Sequence, residues 1–273
     1  MNVLIVLGTA ALGLSALWAI QSVVLTLAGE PLAWPLRFKK RGPVAVWTGR
    51  VLIHSFWIFV LVATPLALGI RPIDALHQAF PTTVPWHSIA AAFSIMLFPA
   101  ASMYALYIAA GWARFEPQHD QAKRRGKLLR RIFPGPLPVS IFEEAVFRGI
   151  LLEQMLRLLP QSSAYTALAI IVNSAAFSAV HFVKPVDWKP IKQVAYGYFI
   201  VGCLFGLAYV VGGRNLWLPI AVHAAAIFVI EVARLYVVFQ APPWLVGYTE
   251  WPQSGLVGSV LVLGVAVALL TLI

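Results

Sequence analysis

Two adjacent carboxylates inside an apolar stretch are the residues of this 273-residue chain with the most chemistry in them: Ile141-Phe142-Glu143-Glu144-Ala145-Val146-Phe147-Arg148-Gly149. The chain has only ten acidic residues in all, and an ionisable group at membrane depth is costly enough to mark a functional site by default. On a helix of ~3.6 residues per turn, Glu144 and Arg148 share a face and can pair, while Glu143 points about 100° away. This predicts a division of labour. Arg148 holds Glu144 ionised, whereas Glu143 lies in a dry cavity with no cation of its own, the setting in which desolvation raises a carboxylate's proton affinity. Such a carboxylate can take a proton from water near neutral pH. A buried network of the three charges that only fixes helix packing would account for this helix equally well.

Two histidines in other apolar stretches tip the balance. His181 closes Phe177-Ser178-Ala179-Val180-His181, and His223 closes Leu216-Trp217-Leu218-Pro219-Ile220-Ala221-Val222-His223. Each has an apolar partner four residues away on its own helix face, Phe177 before His181 and Ile227 after His223. A lone histidine there is ordinarily a satisfied core residue, but two of them with a carboxylate pair on a third helix point to a convergent polar site. Asn173, Ser174, Ala175, Ala176, Ser178 and Ala179 give the His181 helix a small-sided surface that lets neighbouring backbones approach closely in lipid. His54, His77, His87 and His119 lack such company and take no role.

The elements that must position these groups follow from composition. Hydrophobic residues make up 60% of the chain and charged ones 11%, against roughly 25% charged in a soluble domain, so a water-exposed surface cannot be built. Several stretches of about 20 nearly uncharged residues are long enough to cross a hydrocarbon core of ~30 Å. The expected fold class is all-α, a polytopic transmembrane bundle of about eight helices near 3–27, 46–69, 88–112, 139–159, 164–183, 194–211, 216–238 and 254–273, forming one membrane domain over 1–273. The fourth is the weakest span, because Glu143, Glu144, Arg148, Glu153 and Arg157 interrupt it. The run 3–27 has no Lys or Arg before it and no small-residue cleavage site, so it reads as a retained helix, not a signal peptide. Cys203, the one cysteine, excludes an intramolecular disulfide and a thiolate metal cluster and reads as a small core residue.

The net charge of +10 does not indicate nucleic acid, since the basic residues gather beside predicted helix ends, where they face a membrane surface. Arg37, Lys39, Lys40, Arg41 and Arg50 precede or open the second helix; Lys123, Arg124, Arg125, Lys127, Arg130 and Arg131 precede the fourth; Lys184, Lys189 and Lys192 follow the fifth. These basic loops are expected in the cytoplasm of a plasma (inner) membrane, which puts both termini outside if the fourth helix crosses completely. The run 123–131 reads as a solvated topogenic loop, with anionic lipid heads or an acidic substrate tail as the other occupants it could attract.

With these segments in hand, the chain resembles the CAAX protease and bacteriocin-processing family of intramembrane glutamic endopeptidases. The pattern is two glutamates and, after three intervening residues, an arginine (Glu143, Glu144, Arg148); a phenylalanine four before a histidine (Phe177, His181); and a histidine with a hydrophobic residue or asparagine four later (His223, Ile227). The match spans roughly 135–235, which would be the catalytic core. By that resemblance Glu143 and His181 would activate a water that attacks a peptide carbonyl, His223 would help stabilise the oxyanion, and Glu144, Arg148, Phe177 and Ile227 would support them. The substrate would be a membrane-associated peptide or protein, and no cofactor would be needed. Where the prenyl-protein branch has a second oxyanion donor, an asparagine, this chain has Ile227, as bacterial-type members commonly do.

Two rival readings stand beside this one. Zinc held by Glu143, His181 and His223 is the chemical alternative, although the chain lacks a His-Glu-x-x-His segment. The non-enzymatic alternative is a membrane scaffold, a bacteriocin-immunity protein or a small transporter, the last unsupported by any inverted repeat. A straight seventh helix would carry His223 about 22 Å from the cytoplasmic end where Glu143 and His181 lie. The expectation is therefore an extended or re-entrant stretch from Asn215 with the helix starting at Pro219, a tilted helix, or a deep conical cavity.

Overall fold

The computed structural model describes residues 2–30, 43–81, 83–118, 120–132, 135–181 and 191–271. Arg37, Lys39, Lys40, Arg41, His119, Lys184 and Lys189, which enter the charge and histidine readings above, lie outside these residues. The described residues are 81% helical with almost no sheet, so the all-α polytopic class holds. In order come α1 (Asn2–Leu27), α2 (Pro43–Ala67), α3 (Pro72–Ala79), α4 (Trp86–Ala109), β1 (Ala113–Phe115), α5 (Gln121–Ile132), α6 (Pro136–Glu144), a π-helical segment (Ala145–Leu152), α7 (Glu153–Leu158) and α8 (Ser163–His181). They are followed by α9 (Ile191–Val211), α10 (Trp217–Tyr236), β2 (Val237–Phe239), α11 (Pro243–Val246), a short 3-10 turn (Pro252–Ser254) and α12 (Leu256–Thr271).

Among the described residues, five helices are long and apolar enough to cross a membrane: Leu4–Leu27, Trp86–Ala109, Ser163–His181, Lys192–Val211 and Trp217–Tyr236. A sixth arises if His54–Ala67 and Pro72–Ala79, bent by 105° at a short break, form one broken span. Pro65 sits at the end of α2, and Gly69 (φ 72°) takes up the left-handed backbone that the sharp turn after α2 requires. The chain is therefore a multi-pass membrane protein. Helix α12, with 16 residues, is about 24 Å long and shorter than the hydrocarbon core.

The expected fourth helix is present, although it is not among the helices that length and composition mark as spans. Helix α6, the π segment and α7 run without interruption over 136–158, about 34 Å at the helical rise, opened by Pro136 in the first turn, where its missing N–H costs nothing. Its charges keep it out of the composition-based spans, yet Glu143, Glu144 and Arg148 are all buried within the protein. Lipid does not meet them. The π turns are the feature that periodicity did not reveal; such insertions widen a helix locally and occur often at functional sites.

Two expectations are corrected. The basic run 123–131 is not a loop but part of the helix α5, whose first turn is capped by Asp120 Oδ1 accepting the Lys123 N–H at 2.8 Å. Nor does the seventh helix start at Pro219 after an extended approach: α10 begins at Trp217, with the Asn215 side chain accepting the Trp217 N–H at 3.1 Å, and continues to Tyr236. Proline at Pro219 is tolerated there because the first turn of a helix has no partner for that N–H in any case.

The core lies where α4, α9, α10 and the 136–158 helix meet. Helix α10 is its centre, with twelve buried residues from Leu218 to Leu235, which is why its first 14 residues, Trp217 to Ile230, are apolar all round except for His223. Helices α8 and α9 approach so closely that a Cβ at Gly202 would stand 3.0 Å from the Ser174 Cβ, the small-residue packing expected of helices in lipid.

Candidate active site

The 136–158 helix presents Glu143 and Glu144 in its last α-turn before the π segment and Arg148 inside it. Arg148 Nη1 donates to Glu144 Oε1 at 3.2 Å, and both side chains are fully buried. Its Nη2 donates to the Gly202 carbonyl at 2.9 Å, and its guanidinium lies 4.6 Å from the Phe177 ring centroid and 5.3 Å from that of Phe205. A cation clamped between two aromatic faces and a carbonyl is compensated by quadrupole and dipole as well as by its carboxylate. The expected Glu144–Arg148 pair is present.

Glu144 has a second partner that sequence spacing did not suggest. Its Oε1 lies 2.7 Å from His223 Nδ1. With Glu144 ionised, that nitrogen carries the proton and donates it, which turns His223 Nε2 away from Glu144 and toward Glu143. His223 Nε2 stands 3.9 Å from Glu143 Oε2. The ring is held on its face by Phe205, stacked at 4.4 Å with the planes 21° apart.

His181 is oriented in the same manner by different groups. Its Nδ1 lies 2.7 Å from the Phe177 carbonyl one turn back, so the Nδ1–H donates to that oxygen and Nε2 turns to Glu143, 3.8 Å from Oε2. Tyr198 stacks on the imidazole at 3.9 Å with the planes 24° apart, and the Tyr198 hydroxyl accepts the Trp251 indole N–H at 2.8 Å. Phe177 packs edge-on against His181, Phe147 and His223 together, filling the space behind both imidazoles.

Helices α6, α8 and α10 thus bring one carboxylate oxygen within 4 Å of two imidazole Nε2 atoms. All three groups line a cavity of about 350 Å³ with apolar walls from Met96, Met103, Val201, Ile227 and Val262. Of the residues singled out in the sequence, Phe177 and Ile227 line it too, while Glu144 and Arg148 support it from behind. His223 reaches Glu143 from the continuous helix α10, with Glu143 about two turns inside the 136–158 helix. Among the described residues, no group of three or more His, Cys, Asp and Glu side chains has metal-holding geometry.

Tyr198, Phe205 and Trp251 were missed. Two of them had a readable signal: Tyr198, Val201, Gly202 and Phe205 follow the i, i+3, i+4, i+7 spacing of one helix face, and all four meet the site. Trp251 had none, because the 247–255 stretch that carries it folds back against α9 and α12 through tertiary contacts alone.

A bundle of membrane-length helices enclosing a carboxylate and two imidazoles defines a multi-pass membrane protein with a buried polar site suited to acid–base chemistry. The family comparison makes the assignment narrower: residues 126–229 match the family described as Type II CAAX prenyl endopeptidase Rce1-like. The resemblance carried by the three motifs is thereby borne out over the stretch that holds all of them. It speaks for an intramembrane protease of the CAAX type in general, acting on a membrane-associated peptide or protein. No curated protein and no solved structure matches the chain.

Proposed function

We propose that the protein hydrolyses a peptide bond of a membrane-associated substrate with a water activated by Glu143 and His181, without a covalent enzyme intermediate. The observation that carries this reading is the placement of Glu143 Oε2 3.8 Å from His181 Nε2 and 3.9 Å from His223 Nε2 inside one cavity. Those separations exceed a direct hydrogen bond and suit a water held between the groups. Glu143 accepts one proton of that water and His181 Nε2 accepts a hydrogen bond from the other, leaving an oxygen lone pair for the carbonyl carbon. His223, as imidazolium with its Nδ1–H on Glu144, presents Nε2–H to the oxyanion. The proton held by Glu143 then passes to the leaving nitrogen as the C–N bond breaks, releasing a carboxylic acid and an amine.

Ile227 places an alkyl side chain on the cavity wall, so it supplies no second oxyanion donor, and that duty falls on His223. In this reading the basic segments, α5 among them, lie on the cytoplasmic side, as the positive-inside rule favours. No cofactor is required by this scheme; zinc on Glu143, His181 and His223 is the rival, and activity retained in strong chelator separates the two. A scaffold would need Glu143 only for packing, and a transporter would use it as a packing group or a substrate relay.

The decisive experiment compares the peptide content of membranes holding the wild-type chain with that of membranes holding Glu143→Gln, which preserves shape and removes the base. Peptides that accumulate only with the wild type are the expected products. Identical peptide profiles from the two would rule out Glu143 as the base.

A further inference from the structure

A second polar cluster lies at the other end of the 136–158 helix, and the proteolytic reading makes no use of it. Glu153 Oε1 accepts from Arg157 Nε at 2.7 Å and from Arg214 Nη2 at 2.6 Å; Oε2 accepts from Arg214 Nε and from the Tyr209 hydroxyl, each at 2.9 Å. Four donors fill the roughly four lone-pair positions of a carboxylate. Glu153 can accept nothing more, and two guanidiniums on one carboxylate leave a surplus positive charge.

The same groups line a cavity of about 50 Å³ with Gln78, Gln154, Pro65, Leu68 and Gly149. A water needs roughly 10–15 Å³ on this measure, so the space suits a few non-hydrogen atoms, about a phosphate group. Gln154 is 8% exposed and lines that space, where its side-chain amide is a donor that a ligand in the cavity can use. Arg157 Nη2 donates to Gln78 Oε1 at 2.9 Å, which leaves the Gln78 amide NH2 as a further donor. Arg214 adopts φ 62°, alone among the described non-glycine residues, a left-handed conformation that is strained for so large a side chain. Glycine would be easier there, so the position is occupied for its guanidinium.

The location narrows the ligand. The cavity lies where α2 ends in its 105° bend to α3, α7 ends, and the turn between α9 and α10 passes. That is the edge of the bundle's apolar span. Arg157 and Arg214 keep 44% and 38% of their side chains exposed, and beside them Ile73, Leu76 and Leu158 expose apolar surface. We propose that Arg157, Arg214 and Gln154 form a binding site for a phosphate oxyanion, carried by the headgroup of an anionic phospholipid or free in solution. Guanidiniums and amide N–H groups are the donors such an anion uses, and the saturated Glu153 sets the two arginines in place. This site does not depend on the protein being a protease.

The test uses the full chain in phosphatidylcholine nanodiscs containing a minority of phosphatidylglycerol, with bound lipid read by native mass spectrometry after release. The wild type should retain phosphatidylglycerol in preference to phosphatidylcholine. Arg157→Gln and Gln154→Met should each lower that retention about three- to tenfold; Gln154→Met breaks no existing bond, so it should fold normally. In parallel, inorganic phosphate is titrated into the detergent-solubilised chain while its unfolding temperature is followed. A rise seen in the wild type and absent in both variants, without lipid preference, assigns the site to the free ion. Retention or stabilisation that is the same in wild type and both variants, or no preference for either probe, overturns the proposal.

Discussion

One continuous helix, 136–158, carries two carboxylate–arginine clusters, and they are built on opposite principles. At Glu144 and Arg148 both side chains are fully buried, yet Glu144 Oε2 and Arg148 Nε have no hydrogen-bond partner among the described residues. Glu153 is satisfied at every lone pair, but the arginines around it are about two-fifths exposed. The buried pair depends on both of its members, because neither charge can turn to water if the other is lost. The exposed cluster can lose a member and let water take its place. The incompletely satisfied pair is also the one that reaches the candidate active site, through Glu144 Oε1 on His223. An acceptor shared between a cation and an imidazole fixes a ring orientation, whereas the saturated carboxylate only fixes arginines.

Substitution should separate these two clusters by size of effect. Glu144→Gln strands Arg148 and removes the charged acceptor of His223, so a loss of about 3–5 kcal/mol is expected, seen as a large fall in the thermal unfolding midpoint in detergent. Wild-type stability in that variant would erase the distinction between the clusters. Glu143→Gln should behave in the reverse way, with an unchanged midpoint and peptide-bond hydrolysis down about 10²- to 10⁴-fold; a drop in midpoint comparable to that of Glu144→Gln would make Glu143 a packing residue.

Smaller effects test the supports. Tyr198→Leu removes the ring stacked on His181, and turnover should fall about tenfold with substrate affinity retained, while Tyr198→Phe keeps the stack and most of the rate. Equal losses in the two variants would mean that the hydroxyl on Trp251, not the stacking, matters. On the exposed cluster, Arg157→Gln should cost under about 1 kcal/mol and less still at high salt; a loss as large as that of Glu144→Gln would break the comparison from the other side.

The smallest effect belongs to Asp120, at the surface end of α5. Its carboxyl is held below the usual range, chiefly by accepting the Lys123 backbone N–H and against an opposing effect of desolvation. A lowered folded pKa means that this cap stabilises α5 above the ordinary carboxylate range and ceases to do so as pH falls through the lowered value. The readout is the protection of the Lys123 amide against exchange relative to its intrinsic rate, which should fall over that acidic interval in the wild type and be low throughout in Asp120→Ala.

Much of this was legible in the amino-acid order because composition and periodicity are local properties. A chain with 11% charged residues must be solvated by lipid, and a carboxylate pair inside such a chain must be buried or functional. Spacing of four residues put Glu144 beside Arg148, since helix geometry alone decides that contact. The three motifs that match residues 126–229 were likewise visible one helix at a time.

Only the tertiary structure decided what those helices do to one another. The π turns around Arg148, the hydrogen bond from His223 to Glu144 across 79 positions of sequence, and the stacking of Tyr198 on His181 all follow from how four helices pack. The 105° bend after α2 that assembles the Glu153 cavity belongs to the same class. The physical reason is that in lipid the hydrophobic pattern carries little information about which face meets which neighbour: the medium is as apolar as the core, so facing is set by small residues, shape and the pairing of a few polar groups.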